Sequence, residues 1–396
     1  MKSILIVADS LVTGGLEKTL IDLCDNLDYQ KYAVDLYLFN EGRDLLPQLN
    51  KNVNLLPDSP YFSTVYNRPF GRALKTLLKQ KRFDLAFYRV LRFIKSRLKI
   101  CGFSKTDWCF QKKTMLKISK KYDVAIGFAE GSAGYYVADC VDAKVKNVWI
   151  HTDIKKISTN RHLDIMAFKK ATNICTVSQS SKRSLSERYP QFTEKIKVFT
   201  LPSLFDFERI DSLANEPNEM DTDCQCIVSV GRLVELKGFY LCIEPCKRLV
   251  DEGYNIKWYI CGDGPQRDEL ESLIKDHQLE NNFVLLGNKA NPYTYIKSAD
   301  ICVQPSSYEG FSLVVYEEKL LKKCVVCTPI GSNLEMIEDG LNGSIINRDS
   351  ESIYKALKSL LDNPQRLKKL SEAPSLNFIT KKETINRIEA TFDELC

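Results

Sequence analysis

What most constrains this chain is a recurring unit: a short apolar run that ends at a polar or glycine turn and passes into a helical stretch. Residues 2–8 are the first such run. They are almost continuously apolar, as in a strand buried on both faces of a parallel sheet. Thr13-Gly14-Gly15-Leu16-Glu17-Lys18 follows, and residues 19–27 read as a helix. Strand, glycine turn and helix open a doubly wound α/β domain, in which ligands bind beyond the carboxyl ends of the strands. The two glycines let backbone approach a phosphate or sugar closely. Further strands are predicted at 32–38, 53–56, 122–128, 145–150 and 174–177, and residues 197–202 close this half. A second series runs 226–230, 258–261, 284–287, 301–303 and 325–326. With 396 residues, the chain is expected to fold as two such domains, 1–202 and 203–396.

Composition narrows the class. Hydrophobic residues make up 44% and charged residues 27%, so a large core is feasible. No uncharged apolar run approaches the ~18–20 residues of a membrane span. Residues 3–8 are too short for a signal-peptide core and end at Asp9, so the chain is expected to stay in the cytoplasm. The fourteen cysteines are scattered, and Cys175, Cys226, Cys261 and Cys302 sit in apolar strands, which reads as reduced, buried thiols. Cys324 and Cys327 lie within one strand, about 10 Å apart along it, which excludes a disulfide. Cys224-x-Cys226 lacks a second ligand pair for zinc.

The chemistry concentrates in residues 304–321, Q-P-S-S-Y-E-G-F-S-L-V-V-Y-E-E-K-L-L. Pro305 and Gly310 break regular structure around a polar loop, Ser312 is placed as an N-cap, and a helix is predicted from Leu313 to Leu321. Its free N–H groups would face the loop and suit a phosphate. Glu309 lies before that anion site and Glu317 beyond it. A ligand with a central diphosphate and hydroxyl-rich groups at both ends, such as a nucleotide-sugar, suits the layout. Upstream, the strand at 226–230 ends at Gly231-Arg232 and continues to Lys237-Gly238. Arginine grips phosphate bidentately and lysine adds a mobile charge, so the two could neutralise a diphosphate without a metal.

Glu309-Gly310-Phe311 followed by Glu317 resembles the E-x7-E motif of retaining GT-B glycosyltransferases of family 4. Gly231-Arg232 with Lys237-Gly238 resembles that family's phosphate motif, and Gly262-Asp263-Gly264-Pro265 its G-x-G-P turn. The resemblance implies a GT-B fold, two Rossmann-like domains facing across a cleft, with the last helix crossing back to the first domain. It implies that Glu317 binds ribose hydroxyls and that Glu309, Gly310 and Phe311, with Ser312 and Leu313, meet the donor. Gly231, Arg232 and Lys237 would hold the diphosphate, and Gly15 would add a backbone N–H. His151, at the end of the strand 145–150, would contact the sugar. Glu130 is an acceptor-side candidate, and Leu201-Pro202-Ser203 stands where the family has its interdomain turn. No metal or cofactor is expected. Asp221-Thr222-Asp223 mimics a metal-binding D-x-D, but it precedes a strand in an acidic connector.

A basic segment stands apart. Residues 68–121 hold 17 Lys and Arg against 2 Asp and Glu. Within residues 84–100, Phe87, Val90, Leu91, Ile94 and Leu98 share one helical face, and Arg89, Arg92, Lys95 and Lys99 another. Phe103, Trp108 and Phe110 follow. The pattern reads as a basic amphipathic helix on an anionic membrane surface, against a core helix with a solvated basic face. No nucleic-acid motif accompanies the charge. The reaction expected is retaining, metal-independent transfer from a UDP-sugar to a hydroxyl of a glycan or lipid-linked glycan, on the inner face of the cell membrane. A phosphorylase of the same fold, or a noncatalytic subunit that docks a partner transferase, are the alternatives.

Overall fold

The computed structural model describes the chain except residues 13, 100–101, 200–206, 222, 375–379 and 395–396. The chain divides into two units, Met1–Leu204 with Ile379–Cys396, and Phe205–Phe378. The turn proposed at 201–203 lies outside the described residues.

The first unit runs β1 (Lys2–Ala8), α1 (Gly15–Asn26), β2 (Tyr32–Leu38), β3 (Asn54–Leu55), α2 (Phe62–Tyr66), α3 (Phe70–Lys79), α4 (Phe83–Arg97), α5 (Lys105–Gln111), β4 (Tyr122–Gly127), α6 (Ser132–Cys140), β5 (Ala143–Ile150), α7 (Arg161–Lys170), β6 (Asn173–Thr176), α8 (Gln179–Arg188) and β7 (Ile196–Val198). The strands pair in parallel in the order β3-β2-β1-β4-β5-β6-β7. Ile4, Leu5, Ile6 and Val7 at the centre are wholly buried, as their unbroken apolar run requires. The first helix begins at Gly15, four residues before the predicted start, with Gly14 extended at its N-cap.

The second unit runs α9 (Phe207–Ala214), β8 (Gln225–Val230), α10 (Ile243–Asp251), β9 (Ile256–Cys261), α11 (Arg267–Asp276), β10 (Phe283–Gly287), α12 (Tyr293–Ser298), β11 (Ile301–Gln304), α13 (Leu313–Leu320), β12 (Cys324–Cys327), α14 (Gly331–Leu334), β13 (Ser344–Ile345), α15 (Ser350–Leu361) and α16 (Pro364–Glu372). Its parallel order is β10-β9-β8-β11-β12-β13. In both sheets the order reverses beside the first strand, between β1 and β4 and between β8 and β11. That is the switch point at which open α/β sheets hold ligands. Cys324 and Cys327 are buried free thiols, as is every buried cysteine among the described residues.

After α16 the chain returns as α17 (Lys381–Ala390), and this helix belongs to the first unit. Phe392 meets the edge of Tyr32 at 5.5 Å, and Asn147 Nδ2 donates to Thr391 Oγ1 at 2.9 Å.

The basic segment is a helical insert between β3 and β4 with a small core of its own, formed by Val65, Leu77, Leu85, Ala86 and Tyr88. Here the structure changes the part played by the basic face of α4 and not that of its apolar face. The predicted apolar face of α4 points to solvent, with Phe87 59%, Ile94 45% and Leu98 65% exposed. The basic face is the bracing one. Lys95 Nζ lies 2.9 Å from a carboxylate oxygen of buried Asp107, which also accepts from Tyr88 Oη and closes a capping box with Ser104. Arg92 lies over the Tyr66 ring at 4.2 Å, and Arg89 donates to the Arg68 carbonyl at 2.9 Å. Burial pushes the Asp107 carboxyl up, but hydrogen bonds from Ser104, Lys95 and Tyr88 outweigh it and hold it below the usual range.

Candidate functional site

Two loops leave the β8–β11 switch point of the second unit, one after β8 and one after β11, and backbone contacts clamp them together. The Ser307 amide donates to the Leu236 carbonyl at 2.7 Å. Arg348 ties both, its Nε to the Pro305 carbonyl at 3.2 Å and a terminal nitrogen to the Glu235 carbonyl at 2.9 Å. Gly238 makes the approach possible. Its φ of 71° is left-handed, and a Cβ there would lie 2.6 Å from the Pro305 carbonyl oxygen. Below them, the turn after β9 runs so close that a Cβ on Gly262 would sit 1.9 Å from the Gly231 carbonyl oxygen.

The clamp brings Lys237 and Glu309 together across 72 residues of sequence. Lys237 Nζ donates to Glu309 Oε1 at 2.6 Å, and Ser306 Oγ donates to the same oxygen at 3.0 Å. Both side chains are largely enclosed, with 17% and 21% of their area exposed. The stem of Lys237 lies over Gly231, within 3.1 Å of where a Cβ would stand. Arg232 is exposed and makes no side-chain hydrogen bond or ion pair among the described residues. The loop thus offers one held cation and one mobile cation.

Helix α13 starts from the same place. Ser312 occupies the N-cap position, but its side chain makes no capping bond; its hydroxyl lies 3.3 Å from that of Ser332. The Leu313 amide donates to the Phe311 carbonyl at 3.0 Å, so the loop takes up one of the N–H groups expected to face a phosphate. Gly310 is buried, and Phe311 packs edge-on to Tyr316. Glu317 is buried and accepts from Tyr293 Oη at 3.0 Å. Its neighbour Glu318 is wholly buried. Gln304 donates to Oε1 of Glu318 at 2.7 Å, while Oε2 has no hydrogen-bond partner. Burial pushes the Glu318 carboxyl up to about 8; the Glu317 charge adds to this and the Gln304 bond opposes it. Glu318 is therefore held largely in its protonated form at neutral pH.

Sequence reasoning missed Tyr293, Ser306 and Glu318. Tyr293 lies on a different helix, and nothing local marks it. Glu318 was visible only as the neighbour of Glu317, and nothing in the helical pattern marks it as buried.

In the first unit, Glu130 and His151 stand at the ends of adjacent strands β4 and β5. The His151 amide donates to Glu130 Oε2 at 3.1 Å. The His151 ring is packed by Phe128 at 4.7 Å and Trp149 at 5.5 Å, and its Nε2 is buried without a partner. That burial lowers its pKa to about 3, so the imidazole is neutral at physiological pH. It suits a neutral hydrogen-bonding role and not that of a cation. Gly15 opens α1. The Glu17 carboxylate fills the space beside Gly14, where a Cβ would lie 2.4 Å from it. Burial raises the pKa of Glu17, and Asp9 adds to the effect. Asp221 pairs with Lys257 at 2.7 Å at the base of β8, away from the switch point.

Residues 213–374 match the family model described as "Glycosyl transferases group 1". The chain is 30% identical over 238 residues to the N-acetylgalactosamine-N,N'-diacetylbacillosaminyl-diphospho-undecaprenol 4-alpha-N-acetylgalactosaminyltransferase of Campylobacter jejuni, covering 60% of this chain and 62% of that protein. It is 26% identical over 196 residues to the poly(ribitol-phosphate) alpha-N-acetylglucosaminyltransferase of Staphylococcus aureus, covering 49% and 40%. The chain thus spans less than two thirds of the length of these curated relatives. The structure of Anabaena HepE solved with UDP superposes with a TM-score of 0.70 over 100% of both chains at 17% identity. A mutant of Staphylococcus aureus TarM, solved with fondaparinux, alpha-GlcNAc-glycerol and UDP, gives 0.67 over 100% of both chains at 14% identity. The fold class is GT-B, two Rossmann-like α/β units.

Proposed function

We propose that this protein is a retaining glycosyltransferase that moves a sugar from a UDP-sugar to a hydroxyl of a glycan or lipid-linked glycan in surface polysaccharide or glycolipid synthesis. The observation that carries the reading is the Lys237–Glu309 pair at the β8–β11 switch point, with Glu317 on the helix beyond it, inside the stretch that matches the glycosyl transferases group 1 model. Glu317, held ready by Tyr293, would accept from two ribose hydroxyls. Lys237 would hold the diphosphate, helped by Arg232 moving in from solvent, and their charge would stabilise the UDP leaving group without a metal. Glu309, released from Lys237 as the diphosphate arrives, would accept from sugar hydroxyls. In the first unit, the neutral His151 ring is the candidate for a sugar contact, the Gly15 amide for a phosphate contact and Glu130 for the acceptor. A GT-B structure holding UDP and a relative that acts on a diphospho-undecaprenol-linked glycan support the donor and acceptor classes.

The test is turnover with a panel of UDP-sugars and a lipid-linked glycan acceptor in excess EDTA, following UDP release and the anomeric configuration of the product. UDP release with retention, unaffected by EDTA, is expected. Activity that is lost in EDTA and restored by Mg²⁺ would contradict the charge-pair account. Consumption of inorganic phosphate without UDP would show a phosphorylase. No turnover would leave the noncatalytic docking role.

A further inference from the structure

The helical insert of the first unit carries an apolar surface that the transfer chemistry does not use. Phe83, Phe87, Ile94 and Leu98 fall within about 60° of one another around α4, at 3.6 residues per turn. They are 64%, 59%, 45% and 65% exposed, and Leu78 at the end of α3 is 46% exposed beside them. Six of the eleven exposed large hydrophobics among the described residues lie between 78 and 98. They form a patch and not the usual scatter. Lys75, Lys79, Lys81 and Arg97 rim it. All four are exposed and have no acidic partner among the described residues. The segment's only two acids are both taken: Asp84 pairs with Arg82 and Lys113, and Asp107 is buried against Lys95.

We infer that this surface docks on the anionic face of a lipid bilayer, with the α4 aromatics seated among the acyl chains and the lysines on the headgroups. A patch ringed by unpaired cations with no free carboxylate repels a second copy of itself. A nucleic acid would leave its apolar side chains unmatched. A bilayer with acidic headgroups satisfies both. The inward basic face of α4 makes this arrangement possible, because Arg89, Arg92 and Lys95 fasten the helix to its own core and leave the apolar stripe outside. Docking stands apart from the catalytic reading; it deepens that reading only by bringing the first unit to a lipid-linked acceptor.

The experiment is sedimentation of the full chain with neutral phosphatidylcholine vesicles and with vesicles containing 30 mol% phosphatidylglycerol, as about a third of the lipid makes the surface strongly anionic. Wild type is compared with Phe87→Ser/Ile94→Ser and with Lys79→Gln/Lys81→Gln. These side chains are exposed, so both variants should keep the wild-type melting temperature. Wild type is expected to partition at least about tenfold more strongly onto anionic vesicles. The apolar variant should lose that binding even at low salt, and the lysine variant should resemble wild type in high salt. A single Phe87→Trp reporter should shift its emission to the blue on anionic vesicles. Equal binding of wild type and the apolar variant, equal binding to both vesicle types, or self-association without lipid that depends on Phe87 would each overturn the inference. UDP affinity measured on the same proteins separates the two readings: docking with no UDP binding would refute the donor site alone.

Discussion

Glu318 sets the most local expectation. Its carboxyl is wholly buried, accepts from Gln304 at Oε1, and has a pKa raised by that burial from 4.5 to about 8. Between those values the folded chain holds a proton that the unfolded chain has released. Stability therefore falls as pH rises through that window, and the loss is complete above the folded pKa. Glu318→Gln keeps the shape and the bond from Gln304 but has no proton to lose. The variant should be close to wild type in melting temperature at pH 5 and several degrees more stable at pH 8.5, a difference of a few kcal/mol at most. Melting curves across that range check it; a constant offset at all pH values would show that Glu318 does not titrate there. His151 works in the opposite direction. Its ring is held neutral by burial against Phe128 and Trp149, so the unfolded chain binds a proton first as pH falls below about 6.5. His151→Phe should reduce the acid loss of stability.

At the scale of elements, the helical insert rests on Asp107. It accepts from Lys95, Tyr88 and Ser104 at once, so Asp107→Ala would strip a capping box and leave a buried hydroxyl without its acceptor. A loss of about 2–4 kcal/mol is expected, read by thermal or urea unfolding. A change within about 0.5 kcal/mol would show that the insert does not rely on this network. The sequence carried part of this. Ser104-x-x-Asp107 is a capping-box signature that precedes a helix, and the structure forms it. The amphipathic stripe of α4 was legible to the residue, yet its direction was not. Periodicity shows that two faces differ and does not show which one meets the protein. The strands were legible because a strand buried on both sides must be continuously apolar, which is a local rule. The start of α1 was read late because Gly14 and Gly15 suggested a turn, and only Gly14 is extended.

At the scale of the whole molecule, the two sheets share one topology: in each, the strand order reverses beside the first strand. The sequence located Lys237 and Glu309 as separate motifs. Their direct pairing depends on loops clamped by Gly238, Pro305 and Arg348, contacts between residues far apart in the chain that no spacing rule reveals. Gly238→Ala should therefore damage the site more than the fold, because its left-handed backbone and the nearby carbonyl both resist a Cβ. The measurement that tests the central claim most directly is calorimetric titration of UDP into wild type, Lys237→Ala, Glu317→Ala and Gly238→Ala, all confirmed folded. Hydrogen bonds to a charged group contribute roughly 1.5–3 kcal/mol, so each of the first two substitutions should weaken UDP by about tenfold or more. Gly238→Ala should follow Lys237→Ala. Unchanged UDP affinity in both Lys237→Ala and Glu317→Ala would contradict the assignment of the donor site to the β8–β11 switch point.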